Sequence, residues 1–316
     1  MFKRIGLIGR FGGAHGASNP ELLKTIKSII VWLQDDLEPI YVHEDTYNDF
    51  ADDFAEAHKW SNSPQSIIKT STWDLNECDV VVVVGGDGTM LHAVQILDNP
   101  VLIGVNLGRV GFITDIPAKH AGGTVRDLIR NPSIGKMREY SLLSCAASPE
   151  GWTKMAGFRL QAYRVMNDIV ITRATSKLLE LEVYVRQAHA FNVRGDGLLV
   201  STPMGSTAYS LAAGGSIMAP GSDMLQIVPM MPQTLAHRPL IVSGDDLDVR
   251  VVVKNGMAKV EADGKELGTL NKGEQIEIEY EETVRILRSP GYSYYDTLRT
   301  KLNWHLEAGT KPHENY

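Results

Sequence analysis

The chain has 316 residues, 31 basic and 38 acidic, with a formal net charge of −7 when histidine is neutral. That length suits two domains, and 43% hydrophobic with 22% charged residues excludes disordered, collagenous and coiled-coil organisation. The acidic excess argues against nucleic acid as a partner, because that needs a basic face, yet it allows a small anionic ligand held by local charges.

The first 130 residues alternate strand and helix. Lys3 to Ile8 is a short strand, followed by the loop GRFGGAHGA. Asn19 then suits a helix N-cap, with Pro20 at the first helical position and Glu21 in the first turn. Leu22, Leu23, Ile26, Ile29, Ile30 and Leu33 recur at helical spacing and mark a core-facing stripe. Pro39 to His43 is a second strand. The acidic stretch Asp49 to His58 reads as weak helix or loop. Asp79 to Val84 holds five consecutive valines, a buried strand bounded by glycine. Met90 to Leu97 is helical and Val101 to Val105 is another strand. Such a series predicts an open, mostly parallel α/β sheet.

NPSIGK, residues 131–136, is turn-rich and marks a boundary. Beyond it, strand patterns dominate. Leu179, Leu181, Val183 and Val185 alternate with polar positions, as do Val249, Val251 and Val253, and later Ile276, Ile278 and Tyr280. Asn255-Gly256, between the second run and Ala258 to Ala262, reads as a hairpin turn. Asp263-Gly264-Lys265 also reads first as a hairpin turn. After Pro290, Tyr295, Leu298 and Leu302 predict one last helix. The expected domains are 1–135, α/β, and 136–289, β-rich, with the tail 290–316 packing back on the first.

Cys78 and Cys145 are the only cysteines, without C-x-x-C, which suits a reducing cytosol and a cytoplasmic protein. The longest aliphatic run, Val80 to Val84, is too short to span a bilayer, and Gly6, Gly9 and Arg10 interrupt any signal-peptide core. No histidine pair has H-x-x-x-H spacing, so no protein metal site is expected.

Three segments could carry chemistry. In VVVVGGDGTML, residues 81–91, a buried strand runs through Gly85-Gly86-Asp87-Gly88-Thr89 into a helix. The glycines leave backbone N–H groups free to approach a polyanion, and the helix N-terminus adds partial positive charge. Asp87 could hold a divalent cation, accept a proton from an attacking hydroxyl, or only cap the helix. GVNLGRVGFITD, residues 104–115, again follows a strand; Asn106 and two glycines suit a tight loop, and Arg109 could meet a phosphate. GDGLLVSTPMGSTAYSLAAGG, residues 195–215, is dense in small and hydroxyl residues, with Tyr209 as one aromatic face, and suits a flat polar ligand. It lacks G-x-S-x-G, so nothing marks a serine nucleophile. Asn167-Asp168, in VMNDIVIT, suits a ribose diol, a turn or a bulge.

As an ordered set, these segments resemble the NAD kinase family. GGDGT by itself is shared with diacylglycerol, sphingosine and phosphofructokinase-type kinases. NLGRVGFITD, MNDIVI, RGDGLLVSTPMGSTAYSLAAGG and the tail YSYYDTLRTKLNW look like the more specific family segments. The resemblance implies a phosphofructokinase-like or Rossmann-like parallel sheet domain followed by a β-sandwich-like domain. It implies transfer of the ATP γ-phosphoryl group to the 2′-hydroxyl of the adenosine ribose of NAD, with a divalent cation, normally Mg2+, accompanying ATP. Asp87 would be the proton acceptor. Gly86, Gly88, Thr89 and Asn106 would line the phosphate-proximal site. Asn167, Asp168, Lys177, Arg194, Asp196 and Lys265 would bind the dinucleotide, as would the run Thr207, Ala208, Tyr209, Ser210, Leu211 and Ala212. A homo-oligomer, dimer or tetramer, is also implied. Lys265 stands where many members carry glutamine, and a lysine cannot accept a hydrogen bond there. The alternatives are a lipid or sphingoid kinase and an inert dinucleotide-binding protein.

Overall fold

The structure, a computed structural model, describes residues 1–9, 19–33, 39–56, 67–108, 111–147, 163–243 and 248–304. Two units divide it: Met1–Arg138 together with the segment from Arg285 onward, and Glu139–Val284.

The first unit runs β1 (Ile5–Ile8), α1 (Pro20–Leu33), β2 (Ile40–His43), α2 (Glu44–Asp49), α3 (Ala51–Ala55), β3 (Ile67–Thr70), α4 (Thr72–Leu75), β4 (Val80–Gly85), α5 (Asp87–Ile96), β5 (Val101–Asn106), β6 (Ile116–Pro117) and α6 (Ala121–Arg130). Its strands lie parallel in the order β5-β4-β1-β2-β3. The valines of β4 are all buried, because a central parallel strand is covered on both faces. Asn19 caps α1 as its sequence suggests: its Oδ1 accepts the N–H groups of Glu21 and Leu22 at 3.1 and 3.3 Å. Leu22, Ile26, Ile29, Ile30 and Leu33 bury the expected stripe.

Some elements have a weak signal or none in the sequence. The acidic stretch, read as weak helix or loop, holds the last residue of α2 and all of α3; residues 57–66 lie outside the described residues. Strand β3 is too short for a pattern. Helix α6 opens on Ala-Gly-Gly without a side-chain cap, so it lacks a start signal; burial of Val125, Leu128 and Ile129 holds it instead.

The second unit contains most of β7 (Lys136–Ala147), then β8 (Tyr163–Val165), β9 (Asp168–Arg173), β10 (Leu179–Val185), β11 (Ala188–Gly195), β12 (Gly197–Ser201), the short helix α7 (Tyr209–Ala212), β13 (Met224–Met230), β14 (Leu240–Ser243), β15 (Asp248–Asn255), β16 (Ala258–Ala262), β17 (Lys265–Leu270) and the start of β18 (Gln275–Arg288). Two antiparallel sheets form a sandwich, β11-β10-β15-β18 and β14-β13-β12-β9-β16-β17. Leu181, Val183, Val251 and Ile276 from the first sheet share one core with Ile169, Ile171, Val200 and Val260 from the second. The expected Asn255-Gly256 hairpin is corrected here. β15 pairs with β10 and β18, whereas β16 pairs with β9 and β17, so the turn carries the chain from one sheet to the other. A turn signal specifies a reversal; which strands then pair is decided by which core accepts their apolar faces. The true hairpin is at Asp263-Gly264, both with positive φ (47° and 77°), the geometry that a two-residue turn between twisted strands requires.

The end of β18 and α8 (Tyr294–Leu302) belong to the first unit. Ile286 pairs with Leu102 of β5. Arg288 is fully buried, with Nη1 3.4 Å from Asp115 Oδ1, while Asp115 Oδ2 accepts the Ser289 N–H at 2.8 Å. Removing one partner of a buried pair leaves an uncompensated charge. Arg288→Met is therefore expected to cost about 3–5 kcal/mol, read as a lowered midpoint in urea denaturation; an unchanged midpoint would contradict the pairing.

Candidate functional site

The carboxyl ends of β4 and β5 lie side by side, with Gly85 opposite Asn106. Ligands bind at this edge of open α/β sheets because loops and helix N-termini converge there. Gly86 is the N-cap of α5 and Asp87 is its first residue. Asp87 does not cap its own helix. Its carboxylate reaches across to the loop after β5, where Oδ1 accepts the N–H of Ile113 (3.1 Å), the N–H of Thr114 (3.0 Å) and the Thr114 hydroxyl (2.9 Å), and Oδ2 accepts the N–H of Phe112 (2.9 Å). Asn106 is buried and supports this cage: its Nδ2 donates to Thr114 Oγ1 at 2.6 Å and its Oδ1 accepts the Gly108 N–H at 2.7 Å. Asn106 thus orients the hydroxyl that bonds Asp87. On the opposite side of the same loop, Arg288 donates to the carbonyls of Phe112 (3.0 Å) and Ile113.

A cleft of about 400 Å³ opens over this turn, lined by Gly86, Asp87, Thr89, Asn106, Gly111 and Lys301 among others. Thr89 Oγ1 accepts the Gly86 N–H at 3.4 Å. Gly88 is exposed on the first turn of α5. Arg109 lies outside the described residues.

In the second unit, Asp263 performs a similar service. Its carboxylate accepts the N–H groups of Met166 (2.9 Å), Asn167 (2.8 Å) and Asp168 (3.2 Å). Asp168 is buried, and burial, reinforced by the charge of Asp263, pushes its pKa up to about 7 against a hydrogen bond from the Tyr209 N–H. The Asn167 carbonyl accepts the Thr202 N–H at 2.9 Å. So Asn167, Asp168 and the 202–209 turn come together as one cluster.

The hydroxyls of that turn face inward. Thr202 donates to the Met166 carbonyl at 2.5 Å, and Ser206 donates to Pro203 and accepts from Met218. Ser210 is fully buried and accepts from Gln226 Nε2 at 3.0 Å. The side chain is thus part of the scaffold, because a buried hydroxyl needs an internal partner, and any contact of Ser210 with a ligand would fall to its backbone. Thr207, Ala208, Leu211 and Ala212 keep accessible surface, and Tyr209 is 48% exposed.

The remaining expected residues sit on the surface of this unit. Asp196 is ion-paired with Arg173 at 2.9 Å, and Arg194 stands 4.0 Å from Glu180. Lys177 is exposed in the β9–β10 connection. Lys177 and Arg194 make no hydrogen bond to the Asn167 cluster among the described residues. Lys265 holds its amine 5.3 Å over the Tyr163 ring. Sequence reasoning missed Thr114, Arg288, Lys301 and Gln226 and read Asp263 only as a turn residue. Thr114, Arg288, Gln226 and Asp263 bond to residues distant in the chain, which no local periodicity marks, and Lys301 lies in a quoted family-like segment without a role assigned to it.

A parallel sheet with a strand–GGDG–helix turn, followed in the same chain by a β-sandwich, defines a two-unit phosphotransferase. Residues 5–133 match the ATP-NAD kinase N-terminal domain, and residues 166–288 match the ATP-NAD kinase C-terminal domain. The chain is 32% identical to the NAD kinase of Laribacter hongkongensis, covering 96% of this chain and 97% of the relative, and 35% identical to that of Ralstonia nicotianae, covering 96% and 94%. It shares its fold with yeast NADH kinase complexed with NADH, at a TM-score of 0.78 and 22% identity over 99% of this chain and 91% of the other. The chain belongs to the NAD kinase family.

A Cβ on Gly111 would collide with the Asp87 carboxylate. Gly111→Ala is therefore expected to displace the cage, lower the thermal midpoint and lower kcat about 10-fold or more; unaltered kcat in a protein that still folds would contradict the cage's importance. Asp168 gives a pH test. Its folded pKa lies above the unfolded value, so between about pH 4 and 7 the native state holds a proton the unfolded chain has released, and stability falls as pH rises through that window. Asp168→Asn stays neutral. Its urea midpoint should gain on that of the parent from about pH 4 to 7 and keep the gain above it. A difference independent of pH would refute the shift.

Proposed function

We propose that the protein transfers the γ-phosphoryl group of ATP to the 2′-hydroxyl of the adenosine ribose of NAD, forming NADP and ADP. The observation that carries this reading is the state of Asp87. Its Oδ1 is filled by three donors, whereas among the described residues Oδ2 accepts one and keeps a lone pair at a polar cleft. Oδ2 is then the atom that takes the proton as the ribose oxygen attacks the γ-phosphorus and the ADP oxygen leaves. The free N–H groups of the first turn of α5 and its helix dipole meet phosphate charge. The protein's task in such a transfer is mainly positioning and charge stabilisation.

Among the described residues, no cluster of three His, Cys, Asp or Glu side chains could hold a metal ion. A divalent cation, for which Mg2+ is the natural choice, would accompany the triphosphate and neutralise charge on the transferred group. The second unit binds the dinucleotide with Asn167, Asp168 and the accessible rim from Thr207 to Ala212, Tyr209 offering an exposed aromatic face. Self-association also fits: Met231 and Leu235 are 80% and 86% exposed, with Leu240 and Ile241 of the edge strand β14 also exposed, an apolar display that a second copy would cover. Both cysteines are free and buried, and no helix among the described residues is long and apolar enough to cross a membrane; a cytoplasmic setting accords with both.

The test is NADP formation from NAD, with ATP and polyphosphate compared as donors and diacylglycerol offered as a rival acceptor. Asp87→Asn should keep the fold and lose about 10²- to 10⁴-fold in kcat. Near-parental turnover in that variant would sink the general-base role. NAD binding without NADP formation by the parent protein would favour an inert binding protein instead.

A further inference from the structure

We propose that Lys301, on the C-terminal helix, is a substrate-binding residue whose amine meets a phosphate group in the cleft over the GGDG turn. The inference rests on the kinase reading above and adds to it a residue from the tail. A chain of net charge −7 that binds two polyanions needs cationic groups placed at the phosphates. Among the described residues lining the cleft, Lys301 is the one cationic side chain.

The helix is built to deliver it. Ser293 caps α8 by accepting the Asp296 N–H. Tyr294, Leu298 and Lys301 follow at i, i+4 and i+7 and share one face. Leu298 is buried and Tyr294 half-buried, so the face is turned inward there, and Lys301, exposed, ends it at the open cleft about 10 Å beyond Tyr294 at 1.5 Å per residue. The other basic residue of the last turn, Arg299, is spent on Asp296 on the outer face. Lys301 has no ion pair among the described residues, and Asp87, whose oxygens are held by the loop, forms none with it.

The base of the helix is tied to the Asp87 cage. Tyr292 is buried with its ring 4.4 Å from the Arg288 guanidinium, and its carbonyl accepts Lys136 Nζ at 2.8 Å. The guanidinium that holds the Phe112 and Ile113 carbonyls therefore also seats the start of α8. Lysine suits the task, as a mobile point charge that follows a phosphate oxygen without requiring bidentate geometry. The phosphate could belong to the triphosphate of ATP or the pyrophosphate of NAD; the chemistry is the same.

Lys301→Met, Lys301→Arg and, as an outer-face control, Arg299→Met would be compared with the parent protein for kcat and for the KM of Mg-ATP and of NAD, each varied separately. Lys301→Met should raise the KM of one substrate about 10- to 100-fold, the loss expected of one charged hydrogen bond. Lys301→Arg should recover most of it, and Arg299→Met should behave as the parent. A rise confined to ATP assigns the triphosphate, and one confined to NAD assigns the pyrophosphate. Unchanged kcat and KM for both substrates, in a protein that makes NADP, would overturn the proposal and leave the kinase reading standing. If the parent makes no NADP, that reading fails, and calorimetric binding of Mg-ATP and of NAD to parent and Lys301→Met decides the residue alone. Should Lys301→Met not fold, Lys301→Gln carries the same comparison.

Discussion

Two peptide groups carry the organisation of the first unit's site. The Phe112–Ile113 and Ile113–Thr114 peptides each direct an N–H toward the Asp87 carboxylate and a C=O toward the Arg288 guanidinium. A negative charge on one side and a positive charge on the other polarise each peptide and strengthen both of its hydrogen bonds. The glycine turn after β4, the loop after β5, the end of β18 and the start of α8 are thereby fastened around one carboxylate. The arrangement leaves Asp87 ordered, with room on Oδ2 among the described residues, as the proposed proton acceptor requires.

The second unit solves a related problem by the same means. Asp263 holds three successive N–H groups, those of residues 166–168, as the loop N–H groups hold Asp87 in the first unit. There the carboxylate is the fastener and the segment it fixes carries the exposed chemistry. The serines and threonines that make 201–216 conspicuous in sequence are mostly turned inward, since a tight turn has many backbone groups to satisfy and hydroxyls satisfy them locally. What faces solvent is smaller and more apolar than the composition suggests, with Tyr209 as its one large surface. On the proposed reading, such a rim would recognise a dinucleotide by shape and stacking, with few charges. The proposed attraction for phosphate then rests on the helix N-terminus, on Lys301 and on a cation carried by the nucleotide.

Much was legible from residue order alone. The five valines of β4, the stripe of α1, the alternation of β10 and β15 and the GGDG turn are local patterns, and local sterics and burial periodicity suffice to read them. From these follow the parallel sheet and the β-rich second half, and they single out Asp87 and Asn167-Asp168 as candidate site residues. Helix α6 escaped because its start has no cap and two glycines, so tertiary burial rather than propensity holds it. The Asn255-Gly256 turn was visible, but its strands part to different sheets because each side's apolar face is accepted by a different partner strand.

The sequence by itself determined the class of fold, the GGDG turn and the family. The tertiary structure alone decided what that turn is fastened to. Asp87 and Phe112 are 25 positions apart, Arg288 and Phe112 are 176 apart, and Met166 and Asp263 are 97 apart. No periodicity spans such distances. A carboxylate, three N–H groups and a guanidinium can become one unit only when packing has brought their strands to the same edge, and the physical identity of the site lies in that convergence.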